Sequence, residues 1–150
     1  MVRILVSTVI YLVSLVGYAQ ATSVSELNNN EENTFNIDVV INKVSSDKGK
    51  IYFGLYDSQS NYNSRKPLKT DNTAIKDGIA IVTFKSLEPG TYVVTCFHDA
   101  NDNGRMDFET NGMPIEDYGM TNNVMSFGPP QFTDGKFELK DKDLTFEIKL

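Results

Sequence analysis

The stretch "LEPGTYVVTCFHDANDNG", residues 87–104, combines a turn, a strand and the start of a loop. "LEPG" puts proline and glycine together, which is typical of a tight turn. "TYVVTCFH" is rich in β-branched and aromatic residues, and this composition predicts a β-strand. Asp99 then begins a polar segment that does not continue the apolar pattern. The stretch therefore predicts a strand that leads directly into an acidic loop.

Alternation of apolar and polar residues extends the β prediction to the rest of the chain. Phe35, Ile37, Val39 and Ile41 alternate with polar residues, as in a strand with one buried face. Asp77-Gly78 separates two short β-rich runs, which is a strong signal for a hairpin. No segment shows a helical period. The predicted strands lie at residues 35–42, 51–55, 73–76, 79–84, 91–98, 131–139 and 144–150.

This pattern predicts an all-β fold: a single Greek-key β-sandwich of about seven strands with one long ordered acidic loop. The domain should occupy residues 35–150. The loop runs from Asp99 to Pro130, and it is much longer than most connections in a compact domain. Because strands flank it on both sides, we expect a specific interaction to order it.

The loop begins with Asp-x-Asn-x-Asn-Gly, which is also the beginning of a calcium-binding loop. Calcium takes six to eight oxygen ligands, and a short loop offers them from alternate positions around a sharp turn. Thr110 stands where an EF-hand has a bidentate Glu, so the shell needs a further acid. The predicted ligands are Asp99, Asn101, Asn103, the Arg105 carbonyl and Asp107, and the candidates for the further acid are Glu109, Glu116 and Asp117.

A polar turn is the alternative interpretation of the same residues. Asn and Asp side chains bond readily to their own backbone, so "NDNG" can form a turn without an ion. Further along, Asn122 and Asn123 are positioned to tie the loop down. The apolar side chains around them either pack on the sandwich or line a ligand pocket. These side chains are Tyr118, Met120, Phe127 and Phe132.

Residues 1–21 have the pattern of a secretory signal peptide. Arg3 precedes an apolar run from Ile4 to Val16, and small residues allow cleavage after Ala19 or Ala21. The run is shorter than the roughly 20 apolar residues that a membrane-spanning helix needs. We therefore predict an exported protein, either periplasmic or at the cell surface or outside it. Residues 22–34 are polar and read as a flexible leader.

The formal net charge of −6 becomes −7 once Arg3 is removed. An acidic protein repels phosphate backbones and anionic lipids, so we expect no nucleic-acid partner and no membrane insertion after signal cleavage. Cys96 is the only cysteine, so no internal disulfide can form. Stability should therefore come from the core or from a bound ion.

The residue inventory does not favour an enzyme. The chain has one histidine and lacks HExxH, GxSxG and a glycine-rich phosphate loop. Cys96 and His98 share one face of a predicted strand, which makes a Cys–His dyad conceivable. Tyr92 and Val94 lie on that same face, however, and this favours a buried thiol in the core. We find no catalytic constellation.

Three motifs carry a resemblance to a known family: "LEPGTYVVTCFHDANDNGRMD", "GMPIEDYGMTNN" and "FGPPQFTDGKF". With them, residues 35–150 resemble the DUF2141 family of exported bacterial proteins, and the resemblance implies no particular reaction. Where the family has phenylalanine and serine before its paired asparagines, this chain has Met120 and Thr121. The start of the first motif is also similar to prealbumin-like and Cna-B-type sandwiches. The family's acidic motif maps onto His98, Asp99, Asn101, Asn103, Gly104 and Asp107.

We therefore expect an exported, non-enzymatic β-sandwich of the cell envelope with a calcium-stabilised loop. It would act in binding or architecture, with an envelope protein or a glycan as its partner. The alternative is a small-ligand or glycan-binding module that uses loop aromatics and the asparagine pair. A hydrolase built on the acidic loop is a third interpretation. The aromatic residues that the small-ligand or glycan-binding module would use are Tyr118 together with Tyr52, Tyr56 or Tyr62.

Overall fold

The computed structural model describes residues 33–124 and 129–150. The predicted signal peptide, residues 1–21, lies outside these ranges, as does nearly all of the predicted leader. Phe127 also lies outside them. Within the two described ranges, no helix has the length and apolarity needed to cross a membrane.

The described chain is mainly β-structure, with two short helices and one 3₁₀ turn. Helix α1 is Gln59–Asn63, helix α2 is Phe132–Gly135, and the 3₁₀ turn is Thr121–Asn123. The strands are β1 Phe35–Asn42, β2 Lys50–Tyr56, β3 Lys69–Ala74, β4 Ile79–Leu87, β5 Gly90–Asp99, β6 Tyr118–Met120, β7 Phe137–Leu139 and β8 Leu144–Ile148.

The expectation of about seven strands is too low, because the described residues form eight. Strand β6 lies inside the predicted acidic loop, and its three residues are too few to show an alternating pattern. The single strand predicted at 131–139 divides into α2 and β7. Asp134 Oδ2 accepts the backbone N–H of Gln131 at 2.8 Å and so caps α2, which interrupts the extended chain.

The strands form two sheets that share one core. The first sheet has the order β4-β1-β8, and the second has the order β3-β2-β5-β6, with β7 pairing to the start of β5. Strand β1 is antiparallel to β4 and parallel to β8. Ile37 and Val39 of the first sheet and Phe53 and Leu55 of the second belong to one buried cluster. Burial of this apolar surface is the main force that holds the two sheets together.

Asp77-Gly78 forms the predicted tight turn but not the predicted hairpin. Both residues have positive φ, 54° and 73°, as a two-residue type I′ turn requires. Lys76 and Ile79 pair across the turn. Beyond that single pair, β3 pairs with β2 and β4 pairs with β1. The turn therefore passes the chain from one sheet to the other, and the predicted hairpin between runs 73–76 and 79–84 is limited to the pair Lys76 and Ile79.

The paired asparagines tie the end of the long loop to the body of the domain. Asn123 Nδ2 donates to Glu147 O at 2.8 Å, and its Oδ1 accepts the Lys149 N–H at 2.7 Å. Asn122 Nδ2 donates to two backbone carbonyl oxygens at the end of α2, each at 3.1 Å. A Cβ at Gly119 would lie 2.5 Å from Lys149 O, so the glycine allows β6 to approach β8 closely. The predicted role of the asparagine pair is confirmed.

Replacement of Asn123 by Ala should lower the free energy of unfolding by about 1–2 kcal/mol, because its hydrogen bonds to Glu147 in β8 and to Lys149 just after it are lost. Its φ of 51° adds to the cost, since alanine tolerates this region less well than asparagine. Urea denaturation measures the change. The matched control is Asn72→Ala on the exposed face of β3, which should stay within about 0.5 kcal/mol. An equal loss of unfolding free energy in the two variants would contradict the role of Asn123 in anchoring the end of the loop.

Candidate functional site

The acidic loop begins at the end of β5, where the chain leaves the second sheet. Side chains alternate along a strand, so Asp99 points away from the core that Cys96 and His98 face. Asp99 is nevertheless 0% exposed, because the loop folds back over it. The turn before β2 also passes close by, and a Cβ at Gly49 would lie 1.8 Å from Asp99 O. Asp99 is therefore enclosed by backbone from two separate segments.

The Asp99 carboxylate organises the first turn of the loop. Its Oδ1 accepts the backbone N–H of Asn103 at 3.0 Å, and its Oδ2 accepts that of Gly104 at 2.7 Å. Both amides can point at one carboxylate because Gly104 has a φ of 77°, which favours glycine. A carboxylate can replace its lost hydration with such N–H donors, so the burial of Asp99 is compensated.

Two asparagine amides converge on the next carboxylate of the loop. Asn101 Nδ2 and Asn103 Nδ2 each lie 2.7 Å from Asp107 Oδ2. Arg105 Nε lies 3.5 Å from the other oxygen, Asp107 Oδ1. The hydrogen bond from Asn101, followed by that from Asn103 and the charge of Arg105, lowers the pKa of Asp107 below its ordinary value. Four of the predicted side chains, Asp99 included, thus form one continuous cluster.

Glu116 joins the cluster from the far end of the loop. Its Oε1 accepts the Ala100 N–H at 3.3 Å, and its Oε2 accepts the Asp107 N–H at 3.2 Å. Of the three candidate acids, Glu116 is thus the one in direct contact with the turn. Glu109 instead contacts Asn111 at the tip of a small hairpin, at 3.3 Å. Asp117 accepts the His98 N–H through its backbone carbonyl at 2.9 Å.

An open cavity of about 350 Å³ with a mixed polar and apolar lining lies beside the cluster. Its walls include three carboxylates and the core-facing histidine, with two serines from the segment between β1 and β2. The cavity is wide enough for several water molecules, which occupy roughly 30 Å³ each. The lining side chains that the sequence had singled out are His98, Asn101, Asp107, Glu116 and Asp117.

The cluster meets part of what a calcium ion requires. Within the described residues, no three side chains of the His, Cys, Asp and Glu types are arranged to hold a metal, so asparagine and carbonyl oxygens would have to contribute. Asn101 and Asn103 direct nitrogen toward Asp107, while their Oδ1 atoms accept the N–H groups of Asn103 and Arg105 at 3.1 and 3.0 Å. A half-turn of each amide would direct oxygen to the same place. The turn hydrogen bonds of the alternative interpretation are thus present, and the donor set also suits a hard cation.

Cys96 and His98 do not form a catalytic pair. Cys96 Sγ lies 3.6 Å from Gly119 O, and burial raises the pKa of its thiol to about 12. His98 is 4% exposed, and its Nε2 donates to Lys48 O at 2.8 Å. A thiol with so high a pKa holds almost no nucleophilic thiolate at neutral pH. The prediction of a buried, structural thiol is confirmed.

The aromatic residues that we predicted for a small-ligand or glycan-binding module divide into two groups. Tyr56 and Tyr62 pack edge to face at 5.2 Å, and Tyr62 Oη donates to Pro130 O at 3.0 Å, so they hold α1 and the loop end against the sheet. Tyr52 stacks on Phe97 at 5.4 Å with an interplanar angle of 12°. Tyr118 pairs with Phe97 across the strands and is 43% exposed. An aromatic row therefore reaches the surface next to the acidic loop.

A family model described as "Uncharacterized protein conserved in bacteria (DUF2141)" matches residues 39–147. The chain belongs to this family. The matched range begins within β1 and ends within β8, so it includes both sheets and the whole acidic loop. No curated protein and no solved structure matches the chain.

Sequence analysis did not predict two contacts between the acidic loop and β2 in this DUF2141 domain. Lys50 Nζ lies 3.2 Å from Asp102 Oδ1, and hydrogen bonding to Asp102 is the first cause of the raised pKa of Lys50. Tyr52 lies under the turn, with its hydroxyl 3.8 Å from where a Cβ of Gly104 would be. Both residues come from β2, which is distant in sequence, so no local pattern in the loop could indicate them.

The lowered pKa of Asp107 predicts a pH dependence of stability. Because the folded-state pKa lies below the unfolded one, Asp107 contributes stability above the unfolded pKa, and this is lost as the pH falls through the folded pKa. In Asp107→Asn, the fall in melting temperature below about pH 4 should be shallower than in the wild type. Asp141→Asn, on the exposed turn before β8, is the control and should follow the wild-type curve. Superimposable curves for wild type and Asp107→Asn would contradict the assignment.

Proposed function

We propose that this DUF2141 chain is an exported, non-enzymatic Greek-key β-sandwich of the cell envelope, whose acidic loop binds calcium, and that it acts in binding or architecture. The observation that carries the proposal is the convergence of Asn101, Asn103 and Asp107 beside the enclosed Asp99. Export is supported by the signal-peptide pattern of residues 1–21. The sandwich architecture is supported by the single core that both sheets share.

Calcium suits this cluster because its polar atoms already meet at one place. Asn101 and Asn103 both contact one oxygen of Asp107, and the Arg105 N–H donates to Asn103 Oδ1, which holds the chain at the residue whose carbonyl is a predicted ligand. Glu116 is the further acid that we include in the ligand set, because it already contacts the turn at Ala100 and Asp107. Mixed carboxylate, amide and carbonyl oxygens are the ligands that calcium prefers.

The loop receives no catalytic role in this proposal. Both oxygens of Asp99 and both oxygens of Glu116 accept backbone N–H groups, which holds them in fixed structural positions. A general acid or base must instead be able to exchange a proton with a substrate that it contacts. Cys96 is likewise enclosed in the core. Binding and architecture therefore remain the activities that these side chains support best.

A glycan or another small ligand is the second candidate, and the exposed aromatic row favours it. Tyr52, Phe97 and Tyr118 lie side by side across three neighbouring strands, with Tyr118 outermost. Aromatic rings with a polar tip are common where one partner is partly apolar and partly hydrated, as a sugar is. Titration with envelope polysaccharides, followed by amide chemical shifts along β5 and β6, tests this. Chemical-shift changes confined to other strands would exclude the aromatic row as the ligand-binding surface.

Calcium binding is tested by thermal unfolding. With only two carboxylates in register, we expect a dissociation constant of about 10⁻⁴ to 10⁻³ M, as in extracellular modules. Calcium at ten times that constant should stabilise the fold by about 1.4 kcal/mol and raise the melting temperature by a few degrees. Magnesium should have much less effect, because it demands tight octahedral geometry.

Variants locate the site. Asp107→Ala and Asp99→Ala should abolish the rise in melting temperature that calcium causes. Asp102→Ala should retain it, because Asp102 pairs with Lys50 and not with the cluster around Asp107. Isothermal titration with Asp107→Ala separates loss of binding from loss of folding, since Asp107 is at the surface of the cluster. A wild-type melting temperature that calcium and chelator leave unchanged would overturn the proposal.

A further inference from the structure

The acidic loop contains two Asn-Gly sequences, Asn103-Gly104 and Asn111-Gly112. Asparagine is chemically labile, and the following residue supplies the attacking atom, its backbone nitrogen. Glycine has no Cβ to obstruct that attack, so Asn-Gly is the most favourable pairing for it. In an unfolded chain the two sites would be equivalent. The folded structure makes them different.

Asn103 is held from every side. Its Nδ2 donates to Asp107 at 2.7 Å, and its Oδ1 accepts the Arg105 N–H at 3.0 Å. The would-be attacking nitrogen, that of Gly104, donates to Asp99 Oδ2 at 2.7 Å. Asp99 itself is fully buried. The side-chain carbon of Asn103 can approach that nitrogen only if the whole turn opens.

Asn111 lies at the exposed tip of the small hairpin. Phe108 and Pro114 pair across this hairpin, and the Gly112 N–H donates to Glu109 O at 2.9 Å. The Asn111 amide contacts only exposed groups: its Nδ2 lies 3.3 Å from Glu109 Oε2, and its Oδ1 accepts the Met113 N–H. A Cβ at Gly112 would have nothing within 4 Å. Opening of this tip disturbs no buried contact, so it costs little.

We propose that Asn111 is a site of spontaneous deamidation and that the folded turn protects Asn103. The Gly112 nitrogen attacks the Asn111 side-chain carbon, a C–N bond forms, and ammonia leaves to give a succinimide. Water then opens the ring at either carbonyl and yields aspartate or isoaspartate. The balance is one water consumed and one ammonia released, with no oxidant or cofactor required.

The modification changes the tip of the hairpin in two ways. The new carboxylate loses the N–H donor that faces Glu109 and places a second negative charge beside it. In the isoaspartate product the backbone is one carbon longer, which breaks the spacing of the bond from the Glu109 N–H to Met113 O. The loop thus acquires charge and loses local order with age, whether or not it binds calcium.

Trypsin separates the two sites, which makes the experiment direct. The chain has no Lys or Arg between Lys85 and Arg105 or between Arg105 and Lys136. Residues 86–105 therefore carry Asn103, and residues 106–136 carry Asn111. The folded protein is incubated at mildly alkaline pH with a chelator present, then digested, and amide-to-acid conversion in each peptide is followed by mass spectrometry. Fragmentation distinguishes Asn103 from Asn101 in the first peptide, and Asn111 from Asn122 and Asn123 in the second.

We expect conversion at Asn111 to be faster than at Asn103 by about tenfold or more. In concentrated guanidinium the two rates should become similar. Asn111→Gln is the control, because the longer side chain closes its ring slowly, and it should remove the conversion that fragmentation assigns to position 111. The proposal is overturned if Asn103 reacts as fast as Asn111 in the folded protein. It is also overturned if Asn111 stays intact over a period in which the denatured chain is converted.

Discussion

The acidic loop depends on one buried carboxylate. Asp99 ends β5 on the outer side of its sheet, and the chain turns back at once so that the N–H groups of Asn103 and Gly104 meet it. An enclosed carboxylate without such donors is strongly unfavourable, and removing one donor costs about 1–3 kcal/mol. The turn is therefore not a loose connection. It is the condition under which Asp99 can be buried at all.

The rest of the loop follows from this first turn. Once Asp99 fixes Asn103 and Gly104, the side chains of Asn101 and Asn103 reach Asp107, and Glu116 contacts the same peptide segment. The far end is held separately, by Asn122 and Asn123 against α2 and β8. The segment between these anchors contains the exposed hairpin. Hydrogen bonds therefore hold both ends of the loop, while its middle is exposed to solvent.

Asparagine has a double role in this cluster. Its amide nitrogen can neutralise a carboxylate by donating a hydrogen bond, and its amide oxygen can share a cation with that carboxylate. Asn101 and Asn103 adopt the first arrangement around Asp107. A half-turn of the two amides gives the second. The loop can therefore be ordered without an ion, which is why the calcium affinity that we propose is only modest.

Sequence reasoning succeeds where the signal is local and periodic. The alternation of Ile37, Val39 and Ile41 locates β1, and the Asp77-Gly78 turn follows from the need for positive φ. It fails where partners are distant in sequence. The change of sheet after that turn is decided by pairing with β1 and β2, and the contacts of Lys50 and Tyr52 with the loop arise only after β2 has paired with β5. The motif therefore identifies the residues of the site, while the sheet provides their support.

The most direct test is amide hydrogen exchange at Asn103 and Gly104 in the wild type and in Asp99→Asn, followed by NMR. Both amides should exchange at least about a hundredfold more slowly than in an unstructured peptide, and the Gly112 amide at the hairpin tip should exchange faster than either. Asp99→Asn should remove most of the protection at Asn103 and Gly104 while the amides of β2 stay protected. Wild-type exchange at the rate of a free peptide, or protection that survives Asp99→Asn, would contradict the central role of the buried carboxylate.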